Sequence, residues 1–121
     1  MYDKNNVFAK IIRGEWPAER IYEDNLVIAI KDINPACPIH ILVIPKGEYI
    51  SFDDFTTNAS EFEIVQKICA DLKITQDGYS ILSNIGVNGG QVVPHMHLHI
   101  LAGKKLGSLP RDKSNASVDG E

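Results

Sequence analysis

Cysteine and excess basic charge are both scarce in this sequence, and each shortage excludes a class of protein. The 121 residues carry a formal net charge of −4, and the 12 Lys and Arg residues are scattered along the chain. There is therefore no basic stripe of the kind that binds a nucleic-acid backbone. Cys37 and Cys69 are the only cysteines. They are too few for a disulfide framework or a four-cysteine zinc site, so we interpret them as buried small hydrophobic residues.

Long apolar runs are missing as well. No stretch approaches the length that crosses a membrane, and the polar residues 1–6 precede no apolar segment of a secretory signal. We therefore expect a cytoplasmic protein without a membrane partner. Hydrophobic residues make up 44% and charged residues 23% of the chain, which is an ordinary globular composition. We expect one domain over residues 1–106 and a polar, flexible tail over residues 107–121.

Hydrophobic periodicity predicts two helices and about five strands. Apolar residues at helical spacing indicate a short helix over residues 7–13 and one long amphipathic helix over residues 58–73. The short connections between several of the strands predict an α+β domain built on an antiparallel sheet, with a first hairpin that turns at Asp24 and Asn25. The strands are predicted over residues 20–23, 26–31, 40–44, 79–83 and 92–101.

The last predicted strand contains histidines at alternate positions, His95, His97 and His99. Successive side chains of a strand point to opposite faces, so the three imidazoles are expected on one face, roughly 6.6 Å apart. Met96 and Leu98 would then face the core. Three aligned imidazoles have little structural purpose, because they repel one another once protonated. A functional site is therefore favoured over a solvated polar strand face.

Two chemistries suit such a row of histidines. The first is metal ligation, in which His-x-His supplies two ligands to a tetrahedral ion and the fourth histidine, His40, supplies another. Against this alternative, the sequence places no obvious acidic or cysteine ligand beside the run. The second is phosphorus chemistry, in which one imidazole attacks a phosphate and the others supply protons and positive charge.

A glycine-rich loop directly before the histidines favours phosphorus chemistry. Residues 84–91 read Asn-Ile-Gly-Val-Asn-Gly-Gly-Gln. The glycines allow close backbone approach and positive φ, and the amides of Asn84 and Gln91 can bond to phosphate oxygens. Alone, such a loop predicts only a hairpin turn; its position next to three histidines makes a phosphate site the stronger interpretation.

Residues 89–100, Gly-Gly-Gln-Val-Val-Pro-His-Met-His-Leu-His-Ile, resemble the signature of the histidine triad (HIT) superfamily of nucleotide-binding proteins. Similarity extends from about Val7 to Gly103, and residues 8–18, 31–35 and 38–46 look like the Hint branch. The resemblance implies a HIT-like fold with a five-stranded antiparallel sheet, one long and one short helix, and a homodimer. It also implies hydrolysis, without metal or other cofactor, of the bond between phosphorus and a leaving group on a purine nucleoside monophosphate.

The resemblance also implies roles for individual residues. His97 would be the nucleophile and form a phosphohistidine that water resolves. His99 and His40 would contact the phosphate, and His95 would hold the tautomer of His97 that leaves a lone pair free for attack. Asp32 would accept hydrogen bonds from the two ribose hydroxyls, the alternative being a loop cap.

The remaining predicted contacts surround the nucleotide. Asn84 and Gln91 would bond near the phosphate or the leaving group, unless they only stabilise the turn. Apolar side chains would wall the base pocket, although each suits the core equally well. The predicted nucleotide-binding residues are Asp32, Ile33, Asn84, Gly90, Gln91, Val92, Phe8, Ile11, Trp16 and Leu42.

Three features depart from the family pattern. Val92 stands where Ser or Thr commonly donates a proton to the leaving group, and valine cannot donate. Pro94 removes a backbone donor at the entry to the histidine strand and indicates an edge or bulge. The tail lacks tryptophan, so specificity carried by family C-termini does not transfer. The alternatives left open are a non-catalytic purine nucleotide-binding protein, a dinucleoside polyphosphate hydrolase and a zinc-binding module.

Overall fold

The computed structural model describes residues 1–56 and 59–107. Of the tail predicted over residues 107–121, only Gly107 belongs to these residues. The two helices are α1, Val7–Ile12, and α2, Ser60–Asp71, and a short 3-10 helix covers Phe52–Asp54. The strands are β1, Arg20–Glu23; β2, Val27–Lys31; β3, Ile39–Pro45; β4, Ser80–Leu82; and β5, Leu98–Ala102.

The five strands form one antiparallel sheet in the order β1-β2-β3-β5-β4. This confirms the predicted fold class, with one long and one short helix. The first hairpin turns at Asp24, whose Oδ1 accepts the backbone N–H groups of Leu26 (2.7 Å) and Val27 (2.9 Å). This side-chain turn explains why the hairpin needs no glycine and why β2 begins one residue later than predicted.

Alternate residues of a strand point to opposite faces, so both faces of the sheet carry apolar side chains. Each face is covered by one helix. On one face α2 buries Val65, Ile68 and Cys69 against the sheet. On the other face α1 buries Phe8 and Ile11. The sheet residues on the α2 face include Val27, Ala29, Ile41, Val43, Leu98 and Ile100, and those on the α1 face are Ile28, Ile30, Leu42 and Ile44.

Two further sequence predictions, on the cysteines and on the membrane, can be compared with the structure. Cys37 and Cys69 are both buried and free, as the sequence analysis predicted. Over the part of the chain that the structure describes, no helix has the length and hydrophobicity needed to cross a membrane. The cytoplasmic location itself stays a prediction.

The prediction of one strand over residues 92–101 is wrong, because β5 begins only at Leu98. Pro94 has no N–H for a strand ladder, and the N–H of His95 donates instead to Val93 O (2.8 Å) in a tight turn. His95 and His97 therefore precede the strand, and His99 lies within it. The predicted division of faces nevertheless holds, since Met96 is buried with Leu98 and Ile100 on the α2 face.

Candidate active site

A cavity of about 750 Å³ opens on the α1 face of the sheet. Part of its lining is apolar and comes from α1 and the segment after it, and part consists of the imidazoles of His97 and His99 and residues of the glycine-rich loop. Most of the predicted site residues line it: Phe8, Ile11, Trp16, Asp32, Ile33, Leu42, Asn84, Gly90, Val92, His97 and His99. The predicted residues His40, His95 and Gln91 lie outside this lining.

The ring of His97 is held in one tautomer. Its Nδ1 lies 2.8 Å from the backbone oxygen of His95. Because a carbonyl oxygen only accepts hydrogen bonds, Nδ1 carries the proton and Nε2 keeps a free lone pair. Phe8 packs edge-on against this ring at a centroid distance of 4.8 Å and buries it. His97 thus presents a neutral, nucleophilic nitrogen at the cavity wall.

His40 and His99 form a relay of hydrogen bonds across neighbouring strands. The backbone N–H of Ala36 donates to His40 Nδ1 (3.0 Å), so the proton of a neutral His40 lies on Nε2. That nitrogen lies 2.9 Å from His99 Nδ1 and donates to it. His99 therefore carries its own proton on Nε2. The antiparallel pairing of β3 with β5 makes the contact possible, and it provides a hydrogen-bond donor beside His97.

Asp32 follows β2, and its two carboxylate oxygens have different partners. Oδ1 accepts the backbone N–H of Asn34 (2.8 Å), which is the loop cap considered in the sequence analysis. Oδ2 lies 3.4 Å from His40 Nε2 at the edge of the cavity. The cap therefore leaves Oδ2 available for a ligand, and the two interpretations of Asp32 are compatible.

Asp32, His40 and His99 also form a possible metal cluster, with one ligand atom of each within 4.8 Å of the others. Asp32 is the acidic neighbour that the sequence analysis did not find. The hydrogen bonds oppose this use, however. His40 Nε2 can offer a lone pair only if Nδ1 takes the proton, and that proton would then face the N–H of Ala36. The residues fit a metal poorly, and the absence of a cofactor stays a prediction.

The glycine-rich loop is held mainly by its own amides. Asn84 donates to Gly89 O (2.7 Å), and the side chain of Gln91 donates to Ile50 O (2.6 Å) and accepts from Gly86 N (3.0 Å). Gln91 is therefore engaged in shaping the loop, whereas Asn84 also lines the cavity. Gly89 is required at its position, because a Cβ there would lie 2.2 Å from Ile85 O.

Some residues at the site were not predicted. Ile30 lies on β2 two positions after Ile28 and two before Asp32, which follows the strand, so strand alternation could have placed Ile30 on the cavity face. Tyr2 contacts His95 across a sequence separation of 93 residues, and no sequence pattern indicated the contact. The other cavity residues that the prediction missed are Val7, Pro17, Ala18, Glu19, Lys31, Asn34 and Val93.

All three histidines of the triad are kept neutral by burial. Burial lowers the pKa of His95, His97 and His99, and the pKa of His99 falls to about 4 with a further contribution from the positive charges that His97 and His40 would carry. Neutral imidazole is the form that has a lone pair. The site is thus poised for nucleophilic chemistry at neutral pH.

The lowered pKa values predict that acid destabilises the fold before the carboxylates titrate. In the unfolded chain histidine takes up a proton near pH 6.5, whereas in the folded chain the His99 pKa is about 4. Stability is therefore complete above about pH 6.5 and is lost as the pH falls toward the folded pKa. We expect the free energy of unfolding in urea to drop by about 1–3 kcal/mol between pH 7.5 and 5, allowing for the partial exposure of His99.

The variant His99→Asn provides the control for this prediction, because it removes one titrating group and keeps a polar side chain. Its stability should fall less than that of the wild type over the same pH range. An unfolding free energy that stays flat for the wild type between pH 7.5 and 5 would contradict the neutral triad.

A nucleophilic imidazole, a neighbouring donor and a glycine-rich loop beside a five-stranded antiparallel sheet define a histidine-triad type of protein. The family model "HIT domain" matches residues 13–106, and the chain belongs to this family. An uncharacterised HIT-like protein of Azospirillum brasilense is 46% identical over 114 residues, which cover 89% of this chain and 93% of that protein.

Two further similarities are informative, one to a relative found by sequence and one to a solved structure. A purine nucleoside phosphoramidase of Escherichia coli K12 is 36% identical over 111 residues, covering 88% of this chain and 93% of the relative. A histidine triad protein of Clostridium difficile has a TM-score of 0.83 and 39% identity, with 90% of this chain and 99% of that chain covered. The family and the fold expected from the sequence are thereby confirmed.

Proposed function

We propose that the chain is a purine nucleoside phosphoramidase or nucleotidyl hydrolase that acts at the α-phosphate through a covalent nucleotidyl-histidine intermediate. The observation that carries the proposal is the pairing of tautomers: a lone pair on His97 Nε2 beside a proton on His99 Nε2, with ring centroids 5.1 Å apart. One nitrogen can attack phosphorus while the other stabilises the phosphate oxygens. The description of the Escherichia coli relative supports the same substrate class.

In the first step, His97 Nε2 forms a bond to phosphorus as the bond from phosphorus to the leaving group breaks. The leaving group departs with the bonding electron pair and takes up a proton from solvent water, because Val92 at the cavity cannot donate one. The His97 ring then carries a positive charge, and its Nδ1–H donates more strongly to the carbonyl of His95. His99 would donate to the phosphate, and His40 supports it through their shared hydrogen bond.

In the second step, water attacks the phosphorus and the N–P bond breaks. The electron pair returns to His97 Nε2, the water releases a proton, and a nucleoside monophosphate is the product. The groups of this chain that act in the two steps are the imidazoles of His97, His99 and His40 and the backbone carbonyl of His95, with water as the second reactant.

The shape of the cavity supports a purine nucleotide as the ligand. Asp32 Oδ2 would accept hydrogen bonds from the ribose, and the apolar wall would take the base. Trp16 and Ile33 are half and almost fully exposed at the cavity rim, where a bound base would cover them. The residues assigned to the base are Phe8, Ile11, Trp16, Ile33 and Leu42.

The proposal is tested by the hydrolysis of an adenosine 5′-phosphoramidate with a fluorogenic amine, after treatment of the protein with a chelator. We expect the wild type to release AMP. Val92→Ser should raise the rate on the order of 10-fold, because a hydroxyl at the cavity can donate a proton to the departing amine. Val87→Ser is the matched control, since Val87 is as exposed as Val92 (94% and 90%) but does not line the cavity.

The other possible outcomes separate the alternatives. AMP binding without turnover by wild type or Val92→Ser would identify a nucleotide-binding protein. Hydrolysis that is lost with chelator and restored by zinc would identify a zinc-dependent site. Preferential cleavage of a dinucleoside polyphosphate would identify that class of hydrolase.

The homodimer implied by the family resemblance also remains a proposal. The edge strand β4 carries Ile81, which is 51% exposed, and Phe62 on α2 is 39% exposed. An exposed strand edge with apolar side chains is a surface on which a second copy can add. The expected partners are therefore a second copy of the chain and the small nucleotide, with neither nucleic acid nor membrane.

A further inference from the structure

Tyr2 contacts the one triad histidine that does not reach the cavity. Its hydroxyl oxygen lies 2.5 Å from His95 Nδ1, and the two rings meet edge-on at a centroid distance of 5.5 Å. His95 is fully buried, and its Nε2 lies 2.7 Å from Pro45 O. Both ring nitrogens of His95 thus have a partner, and one of them comes from the start of the chain.

The two partners determine which protons are present. Pro45 O only accepts, so His95 Nε2 carries a proton and donates it. A neutral imidazole then has its lone pair on Nδ1, and the hydroxyl of Tyr2 donates to that lone pair. Without this hydroxyl, the lone pair would be a buried acceptor with no partner among the described residues, which costs free energy.

The backbone of His95 connects this contact to the cavity. Its carbonyl oxygen accepts the Nδ1 proton of His97, and that bond leaves the lone pair of His97 on Nε2. Because Tyr2 and Pro45 restrain the His95 ring from two sides, they also restrain the carbonyl that follows it.

The segment that carries Tyr2 is itself anchored. Asn6 donates through its side chain to Asp3 O (2.7 Å) and caps α1 by accepting the N–H of Ala9 (2.9 Å). Arg13 donates to Lys4 O (2.9 Å) from the end of the same helix. Residues 2–6 are therefore bound to α1, which also places Phe8 against His97.

We propose that Tyr2 is a positioning residue for the hydrolysis: its hydroxyl, together with Pro45 O, holds the His95 ring in place, and the His95 carbonyl thereby presents His97 with its Nε2 lone pair toward the cavity. The expected effect of Tyr2 on the rate of hydrolysis rests on the proposed function. The effect on the His95 ring does not require turnover.

The test is Tyr2→Phe, which keeps the ring packing and removes only the hydroxyl. We expect kcat for the adenosine phosphoramidate to fall about 10-fold, because a nucleophile that is held less precisely reacts more slowly, while KM and the Kd for AMP stay within about 2-fold. In ¹⁵N spectra of the free protein, the Nδ1 resonance of His95 should move. Tyr22→Phe is the matched control, because its hydroxyl bonds to Asp24 (2.6 Å) away from the site.

A Tyr2→Phe variant with wild-type kcat would overturn the inference, and so would one whose His95 ring resonances do not change. Equal loss of kcat in Tyr22→Phe would also overturn it, since the effect would then follow from any lost tyrosine hydroxyl. If the wild type does not turn over, the proposed function fails, whereas the ¹⁵N comparison still decides whether the Tyr2 hydroxyl bonds to His95 Nδ1.

Discussion

Replacing His97 with alanine is expected to reduce hydrolysis of the adenosine phosphoramidate by about 10⁴-fold or more, since removal of a nucleophile leaves only binding and electrostatic contributions. The expectation follows from the proposed role of His97 as nucleophile, for which the hydrogen bond of Nδ1 to His95 O leaves a lone pair on Nε2. Steady-state release of the fluorogenic amine measures the loss. Intact mass after rapid alkaline quenching should show an added nucleotidyl group on the wild type and none on His97→Ala.

The affinity of His97→Ala for AMP serves as the control for loss of structure in this variant. The Kd of His97→Ala for AMP should stay within about 10-fold of the wild-type value, because Asp32 and the apolar wall are unchanged. Residual turnover at even about a hundredth of the wild-type rate would mean that another group attacks the phosphorus. The nucleophile would then have to be reassigned, with His99 as the next candidate.

Replacing Asp32 with asparagine is expected to raise KM by about 10- to 100-fold, since hydrogen bonds to a charged group contribute roughly 1.5–3 kcal/mol. The amide of asparagine retains one oxygen, which can still cap the N–H of Asn34. What is lost is the second carboxylate oxygen, near His40 at the edge of the cavity. Because the ribose is remote from the breaking bond, kcat should change less than KM.

A substrate without ribose hydroxyls makes this prediction specific. The wild type should bind the 2′,3′-dideoxyadenosine phosphoramidate more weakly, and Asp32→Asn should cause no further increase in KM for it. Asp71→Asn is the matched control, because Asp71 ends α2 on the opposite face of the sheet and pairs only with Lys67 among its described contacts. A similar KM increase for both substrates in Asp32→Asn would remove the ribose assignment.

Much of the fold could be predicted because local patterns and tertiary structure agree. The helical spacing over α2 and the alternation of buried residues in β2 and β3 reflect the faces that they cover in the structure. The strand boundary at the triad could not be predicted in the same way. Met96 and Leu98 alternate with the histidines as in a strand, but Pro94 and the bond from Met96 N to Tyr49 O place this segment outside the sheet ladder.

The composition of the site could be predicted better than its internal arrangement. The motif indicated His97 and His99, and both line the cavity. The relay from Ala36 through His40 depends on the register of β3 and β5, and the sequence contains no direct signal for register across such a separation. The contact of Tyr2 with His95 is equally non-local. The protonation pattern of the triad therefore had to come from the structure.

Neutral imidazoles would bind a phosphate through directional hydrogen bonds, since each ring offers one N–H donor and one lone pair. They carry no net charge that could attract the phosphate from a distance through solvent. Salt screens long-range attraction between charges far more than it weakens short hydrogen bonds inside a cavity. Lys31, the one Lys or Arg among the described residues that line the cavity, is already paired with Glu19 at 2.9 Å. Nucleotide capture by this protein would therefore change little with ionic strength, and selection among ligands would depend on the fit of the base and ribose more than on the total charge of the molecule.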